Sequence, residues 1–324
     1  MQKGINIVYF GTPEFAVAPL NELLNNRYNI SAVVTSPDKP CGRGLKLGES
    51  AVKKYALKKG LRIIQPENLK SPDFIEQIKE INPNLMIVVA FRMLPESLWK
   101  LPSLGTFNLH ASLLPQYRGA APINWAIING EKTTGLTTFF IEKEIDMGKI
   151  IYFEEISIGL HYNAGILHDI LMKSGAKLLL KTVKSIESRQ YSVVKQDEIK
   201  ASQSELKNAP KIYKETCIVN WNNKTEKIYN HIRGLSPFPA AISEILSPDG
   251  TPYYIKVYRC KKEIQNHLLA VGNILTDSKT HISIAVADGF ILLQEIQLSG
   301  KKKMLVDEFL RGFPMNAQWK MKLA

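Results

Sequence analysis

Four short apolar runs, set apart by helical stretches, constrain the fold of the first part of this chain more than any other feature. Ile5–Phe10, Ile30–Thr35, Leu61–Gln65 and Leu85–Phe91 each read as a strand. Between them, residues 13–19 open a helix with Pro13 in its first turn, and Ser50–Lys59 carries lysines on its outer face. Ser71–Ile81 reads as a third helix with Ser71 as its N-cap. Strands alternating with helices specify βαβ units and a mostly parallel sheet. The turn Gly11-Thr12-Pro13 lacks the GxGxxG of a dinucleotide fold, which argues against a nicotinamide enzyme.

At 324 residues the chain is long enough for two domains, each with its own core. No apolar run approaches the roughly 20 residues needed to cross a bilayer. The first strand begins at once, which leaves no room for a leader peptide. Cys41, Cys217 and Cys260 are far apart and form no CxxC, so neither a disulfide framework nor a zinc site is expected. The expectation is a cytoplasmic, monomeric protein.

Charge is unevenly spread. Residues 1–206 carry 25 Lys/Arg against 20 Asp/Glu, whereas residues 207–324 carry 17 against 10. A basic second part beside a near-neutral first one suits a polyanionic partner, because phosphate neutralisation releases counterions. Its densest cluster is Lys301-Lys302-Lys303, after Ser299-Gly300. The polar stretch Gln190–Lys214 reads as an interdomain linker. Beyond it a helix, Thr225–Arg233, ends at Gly234. Short runs follow at Ala241–Leu246, Tyr253–Cys260, Leu268–Leu275, His281–Ala285 and Gly289–Ile296. Their spacing suits a small antiparallel barrel of the oligonucleotide-binding (OB) kind.

The chemistry concentrates in Thr106–Trp125. In an extended Thr106-Phe107-Asn108-Leu109-His110, Asn108 and His110 share one face because side chains two apart point the same way. An imidazole that accepts a proton from an amine, beside an amide that donates to an oxyanion, suits acyl transfer. A third group comes from residues 142–150, EKEIDMGKI, on a turn that Gly148 would let bend between two strands, Gly135–Ile141 and Lys149–Ile156. Acids at loops beyond strand ends sit where parallel-sheet sites form. Composition leaves Glu142, Glu144 and Asp146 open for that role.

Residues 108–122, NLHASLLPQYRGAAP, resemble the central motif of the formyltransferases that use 10-formyltetrahydrofolate. Ile145-Asp146-x-Gly148 resembles the family's Leu-Asp-x-Gly loop, which selects Asp146. The resemblance thus implies a catalytic set of Asn108, His110 and Asp146, with no metal. It also implies that Ser112, Leu113, Leu114 and Pro115, together with Phe91, Arg92, Met93 and Leu94, hold the folate. In the second segment Arg92 stands where the commoner pattern has glycine, and Met147 replaces a common threonine.

Thr35–Lys46 resembles a basic, glycine-rich insertion found in the members that act on initiator methionyl-tRNA, with Lys39, Arg43 and Lys46 as phosphate contacts. Lys301, Lys302 and Lys303 would add to that surface. The implied fold is α/β: an N-terminal Rossmann-like, mostly parallel sheet domain and a smaller C-terminal OB-like β-barrel domain. The implied bounds are 1–189 for a catalytic domain, 190–210 for the linker and 211–324 for an RNA-binding domain. The implied reaction moves the formyl group from the folate to the methionine amine of the initiator tRNA. Three other readings remain: formylation of a sugar-nucleotide amine, hydrolysis of formyltetrahydrofolate, and a non-enzymatic RNA-binding protein.

Overall fold

The computed structural model of the protein describes residues 4–41, 46–200 and 205–323. It divides into two compact units. The first comprises residues up to 119, 134–157 and 168–208; the second comprises 120–133, 158–167 and 209 onward.

The first unit is built on a seven-stranded sheet. In spatial order its strands are Ile150–Ser157, Thr133–Phe140, Thr106–His110, Leu85–Val89, Asn6–Gly11, Asn29–Val34 and Ile63–Ile64. Asn6–Gly11 pairs in parallel with both Asn29–Val34 and Leu85–Val89, and Leu85–Val89 pairs in parallel with Thr106–His110. Thr133–Phe140 runs antiparallel to Thr106–His110, so the sheet is mostly parallel, as the alternation specified. Leu85–Val89 is buried along its whole length, the pattern of a strand covered on both faces. Gly11 is required by a close approach, since a Cβ there would lie 2.6 Å from Cβ of Ala16.

The helices fall close to expectation, with three differences. The segment after Pro13 forms a 3₁₀ turn, Glu14–Ala16, before the helix Val17–Asn25. Ser50 caps Ala51–Lys58 by accepting the Lys53 N–H at 3.0 Å. Ser71 precedes Pro72–Ile81, but its hydroxyl donates to the Asn68 carbonyl, so it makes no side-chain cap. The 25-residue helix Ala164–Ser188 is not among the elements expected from the sequence. Within the first unit its Thr182 hydroxyl pairs with Thr138 at 2.9 Å, and Gly175 brings it against Leu109 and Leu136.

The second unit carries an antiparallel sheet in the order Ile274–Thr276, Ile282–Val286, Gly289–Leu298, Pro252–Ile264, Ala241–Leu246 and Lys320–Met321. A bridge between Asn273 and Lys320 brings its two ends together, giving a nearly closed barrel. Trp221, Ile245, Val257, Ile284 and Ile296 lie in its core. Leu268–Leu275 is not a strand throughout: only Ile274–Thr276 pairs, and Leu268 is fully exposed. The helix Thr225–Leu235 passes through Gly234, where a Cβ would meet Ile128 at 2.6 Å. Glycine there serves packing and not helix termination.

Candidate active site

His110 closes the strand Thr106–His110, with Phe107 and Leu109 buried on the opposite face. The imidazole is itself buried, and its Nε2 lies 2.9 Å from the Tyr117 carbonyl oxygen. A carbonyl only accepts, so Nε2 carries a proton, and in the neutral ring Nδ1 holds the lone pair. Nδ1 faces Asp146, whose Oδ2 is 3.9 Å away. The ring is therefore oriented by a backbone carbonyl, and the carboxylate stands across the basic nitrogen.

Asp146 occupies a left-handed turn with φ of +54°. Gly148 lets that turn fold back, because a Cβ there would fall 1.7 Å from the Phe140 carbonyl oxygen. Asp146 Oδ2 accepts the Gly119 N–H at 3.0 Å. Of the three acids left open by composition, Asp146 is the one placed against His110.

Asn108 lies on the His110 face of the same strand. Its Oδ1 is buried with no hydrogen-bond partner among the described residues. An unmet buried acceptor costs about 1–3 kcal/mol, a cost tolerated where a ligand completes the bond.

The turn from Ser112 to Tyr117 is held from below. Ser112 Oγ donates to the Gln116 carbonyl at 2.6 Å, and the Ser112 carbonyl accepts from Thr137 Oγ1 at 2.7 Å. The Leu114 N–H donates to Thr137 Oγ1 at 3.1 Å, and Leu114 is buried. Leu113 packs over Gly135, and Leu114–Pro115 is a cis peptide.

In the segment Phe91–Leu94, Arg92 reaches backwards. Its Nη1 and Nη2 donate to the Glu67 and Pro66 carbonyls at 2.9 and 2.7 Å, and its guanidinium stacks 5.3 Å from the Phe91 ring. Burial lowers its pKa from the ordinary arginine value. Phe91 in turn meets Phe10 edge-on at 5.6 Å. Leu94 is buried and Met93 is exposed. Arg92 thus ties the loop to its neighbour, and Met93 stays exposed.

Of the basic residues singled out, Lys39 is exposed on the short strand Lys39–Cys41, which pairs with Lys46–Gly48. Arg43 and the Lys46 side chain lie outside the described residues. Lys301, Lys302 and Lys303 are exposed at a turn opened by Gly300, φ +78°, before Met304–Leu305 pairs back onto Gly289–Leu298. Lys303 is partly engaged, 3.1 Å from Glu295 and 5.2 Å from the Tyr258 ring centre.

Sequence reasoning missed the Tyr117 carbonyl, the Gly119 N–H, Thr137 and Gln196. The first two are backbone groups, which every residue possesses. Thr137 sits inside the expected strand Gly135–Ile141, where nothing in the sequence sets it apart from its neighbours. Gln196 sits in a stretch that reads as a solvated linker, yet it is buried. Among the described residues no cluster of three or more His, Cys, Asp or Glu is placed to hold a metal, and no helix is long and apolar enough to cross a membrane.

Residues 5–183 match the formyl transferase family, and residues 211–314 match the formyl transferase C-terminal domain. A methionyl-tRNA formyltransferase of Bacteroides thetaiotaomicron is 50% identical over 320 residues, covering 99% of each chain. Among solved structures, HypX from Aquifex aeolicus in complex with tetrahydrofolic acid shares the fold at a TM-score of 0.62 and 17% identity. That match covers 95% of this chain and 47% of HypX, so the chain spans about half of that protein. An N-formyltransferase from Helicobacter canadensis, in complex with folinic acid and dTDP-3-aminofucose, superposes at 0.60 with 20% identity, over 93% of this chain and all of the other.

Proposed function

The chain belongs to the formyl transferase family, and from that premise we propose that it formylates the methionine amine of initiator methionyl-tRNA from 10-formyltetrahydrofolate. Half-identity to a methionyl-tRNA formyltransferase along the whole length supports this acceptor over a sugar amine. The observation that carries the chemistry is the His110–Asp146 pair beside an unpartnered Asn108.

The aminoacyl amine attacks the formyl carbon, forming an N–C bond and pushing charge onto the formyl oxygen. The Asn108 amide donates to that oxyanion, while its Oδ1 accepts from an N–H of the incoming amine. Nδ1 of His110 takes the amine proton, and Asp146 stabilises the imidazolium across the 3.9 Å gap. The bond from carbon to N10 of the folate then breaks, and the proton passes to that nitrogen. The amine is its own nucleophile, so no acyl-enzyme is required.

Ser112–Pro115 and Phe91–Leu94 hold the folate in this reading. Lys39, Arg43, Lys46 and Lys301–Lys303 contact phosphates. Residues 1–189 act as catalytic domain, 190–210 as connecting segment and 211–324 as RNA-binding domain. In this reading the protein works as a monomer in the cytoplasm.

The test is formyl transfer to charged initiator tRNA, with charged elongator methionyl-tRNA beside it. Transfer to the initiator alone supports the reading. Folate consumption that is independent of RNA replaces it with a hydrolase, and transfer only to an amino sugar nucleotide replaces it with a sugar formyltransferase.

A further inference from the structure

The segment that reads as a solvated linker is in part buried against the catalytic loops of the first unit. Val194 bridges to Ile150 with N–H···O bonds of 2.9 Å in both directions. Ile199, on the short helix Gln196–Lys200, packs against Leu114, Phe139 and Ile150. Between these two anchors the Gln196 side chain is only 3% exposed.

All the hydrogen-bonding capacity of its carboxamide is used. Oε1 accepts from Arg118 Nε and Nη2 at 3.0 and 2.5 Å. Nε2 donates to the carbonyls of Asp146 and Gly148 at 2.8 and 2.9 Å. Both acceptor lone pairs and both amide hydrogens are therefore satisfied. One side of this node is the Asp146 turn. The other is Arg118, next to Gly119, whose N–H holds the Asp146 carboxylate.

Further along, the same segment holds the histidine side of the pair. The Lys207 carbonyl accepts the Tyr117 N–H at 2.7 Å, and the Lys207 N–H donates to Gln116 Oε1 at 2.9 Å. The carbonyl of that same Tyr117 orients His110.

We infer that Gln196 is a positioning residue for formyl transfer, fixing the Asp146 turn against the Arg118–Gly119 backbone so that the carboxylate faces Nδ1 of His110. Glutamine is demanded by the arithmetic of the node. A glutamate would keep Arg118 but could not donate to two carbonyls, and leucine would leave both carbonyls and a guanidinium unpaired.

This inference rests on the catalytic reading of Asp146, and a double-mutant cycle separates the two. Steady-state formyl transfer is measured for the wild type, Gln196→Leu, Gln196→Glu, Asp146→Asn and Gln196→Leu/Asp146→Asn, with thermal midpoints as the folding control. Displacing a reacting group by about an ångström costs on the order of 100-fold, so each Gln196 variant should lose about 10- to 100-fold in kcat. KM for folate and for RNA should stay within about twofold, since both variants spare the binding surfaces. Gln196→Leu should cost nothing further in the Asp146→Asn background. If Gln196→Leu does not fold, the same readouts are taken from Gln196→Glu, which retains the Arg118 contact. Full kcat in a folded Gln196 variant, or an equal fractional loss with and without Asp146, overturns the inference. Full activity of Asp146→Asn overturns the catalytic reading itself.

Discussion

Nδ1 of His110 lies 3.9 Å from Oδ2 of Asp146, while Nε2 is held by the Tyr117 carbonyl. The two nitrogens thus have separate surroundings: one is fixed by the Tyr117 carbonyl, and the other, which takes the proton in the proposed mechanism, faces the carboxylate. Asp146→Asn can still accept the Gly119 N–H, but it removes the charge that, in the proposed mechanism, stabilises imidazolium. It should lower kcat by up to about 10⁴-fold, the cost in the serine-protease triad, where the carboxylate also sets the tautomer that the Tyr117 carbonyl sets here. The KM values should change little. Steady-state kinetics of the purified variant check this, and an unchanged kcat would remove Asp146 from the mechanism.

Asn108→Ala should reduce kcat by about 10²- to 10³-fold, the usual cost of losing one oxyanion donor. It should also relieve the buried, unpartnered Oδ1, so the variant is expected to melt no lower than the wild type. Kinetics and thermal unfolding of one preparation test both halves. A variant that melts lower and keeps its activity would make Asn108 a structural residue.

The lysine turn should respond unequally. Lys301 and Lys302 are exposed, whereas Lys303 is tied to Glu295 and Tyr258. Replacing Lys301 and Lys302 by glutamine should reduce the slope of log K for RNA against log salt by up to about 1.8, roughly 0.9 per lost phosphate contact. Lys303→Gln should change it less. Binding isotherms at several salt concentrations read this directly, and equal slopes for all variants would take the turn out of the RNA surface.

Two groups in the second unit contribute to its response to acid with opposite ionisation chemistry. Burial lowers the pKa of His231, whose Nε2 is buried without a hydrogen-bond partner among the described residues. The unfolded chain therefore binds a proton first, and stability falls as pH drops below about 6.5. Asp288 behaves as a depressed carboxylate, because the Thr225 hydroxyl and N–H donate to it at 2.5 and 2.7 Å at the start of the helix Thr225–Leu235. Its contribution is complete above the ordinary carboxylate value near 4 and is lost as pH falls through its lower native value. Asp288→Ala should cost about 1 kcal/mol at neutral pH, as lost helix caps do, and less in strong acid, where only the neutral carboxyl's bonds to Thr225 remain to be lost. His231→Leu should flatten the decline below pH 6.5. Chemical denaturation across pH tests both signs.

Much of the first unit was legible because its signals are local. Leu85–Val89 is apolar throughout, and Asn108 and His110 alternate with buried neighbours. The site's supports were not legible, because they depend on contacts distant in sequence. Gln196 reads as one more polar residue until Val194 and Ile199 are seen to anchor it against the Asp146 turn. Leu268–Leu275 shows the opposite failure: apolar residues with no partner strand remain exposed, and only Ile274–Thr276 finds a neighbour. Ser71 shows the limit of residue type, since its hydroxyl turned to Asn68 and not to the helix.

The most direct test of the catalytic claim is single-turnover transfer of labelled formyl from 10-formyltetrahydrofolate to charged initiator tRNA, wild type against His110→Ala. A general base contributes about 10²- to 10⁴-fold, so the variant should lose that much rate while binding RNA as tightly as before. A His110→Ala protein that transfers formyl at the wild-type rate would contradict it.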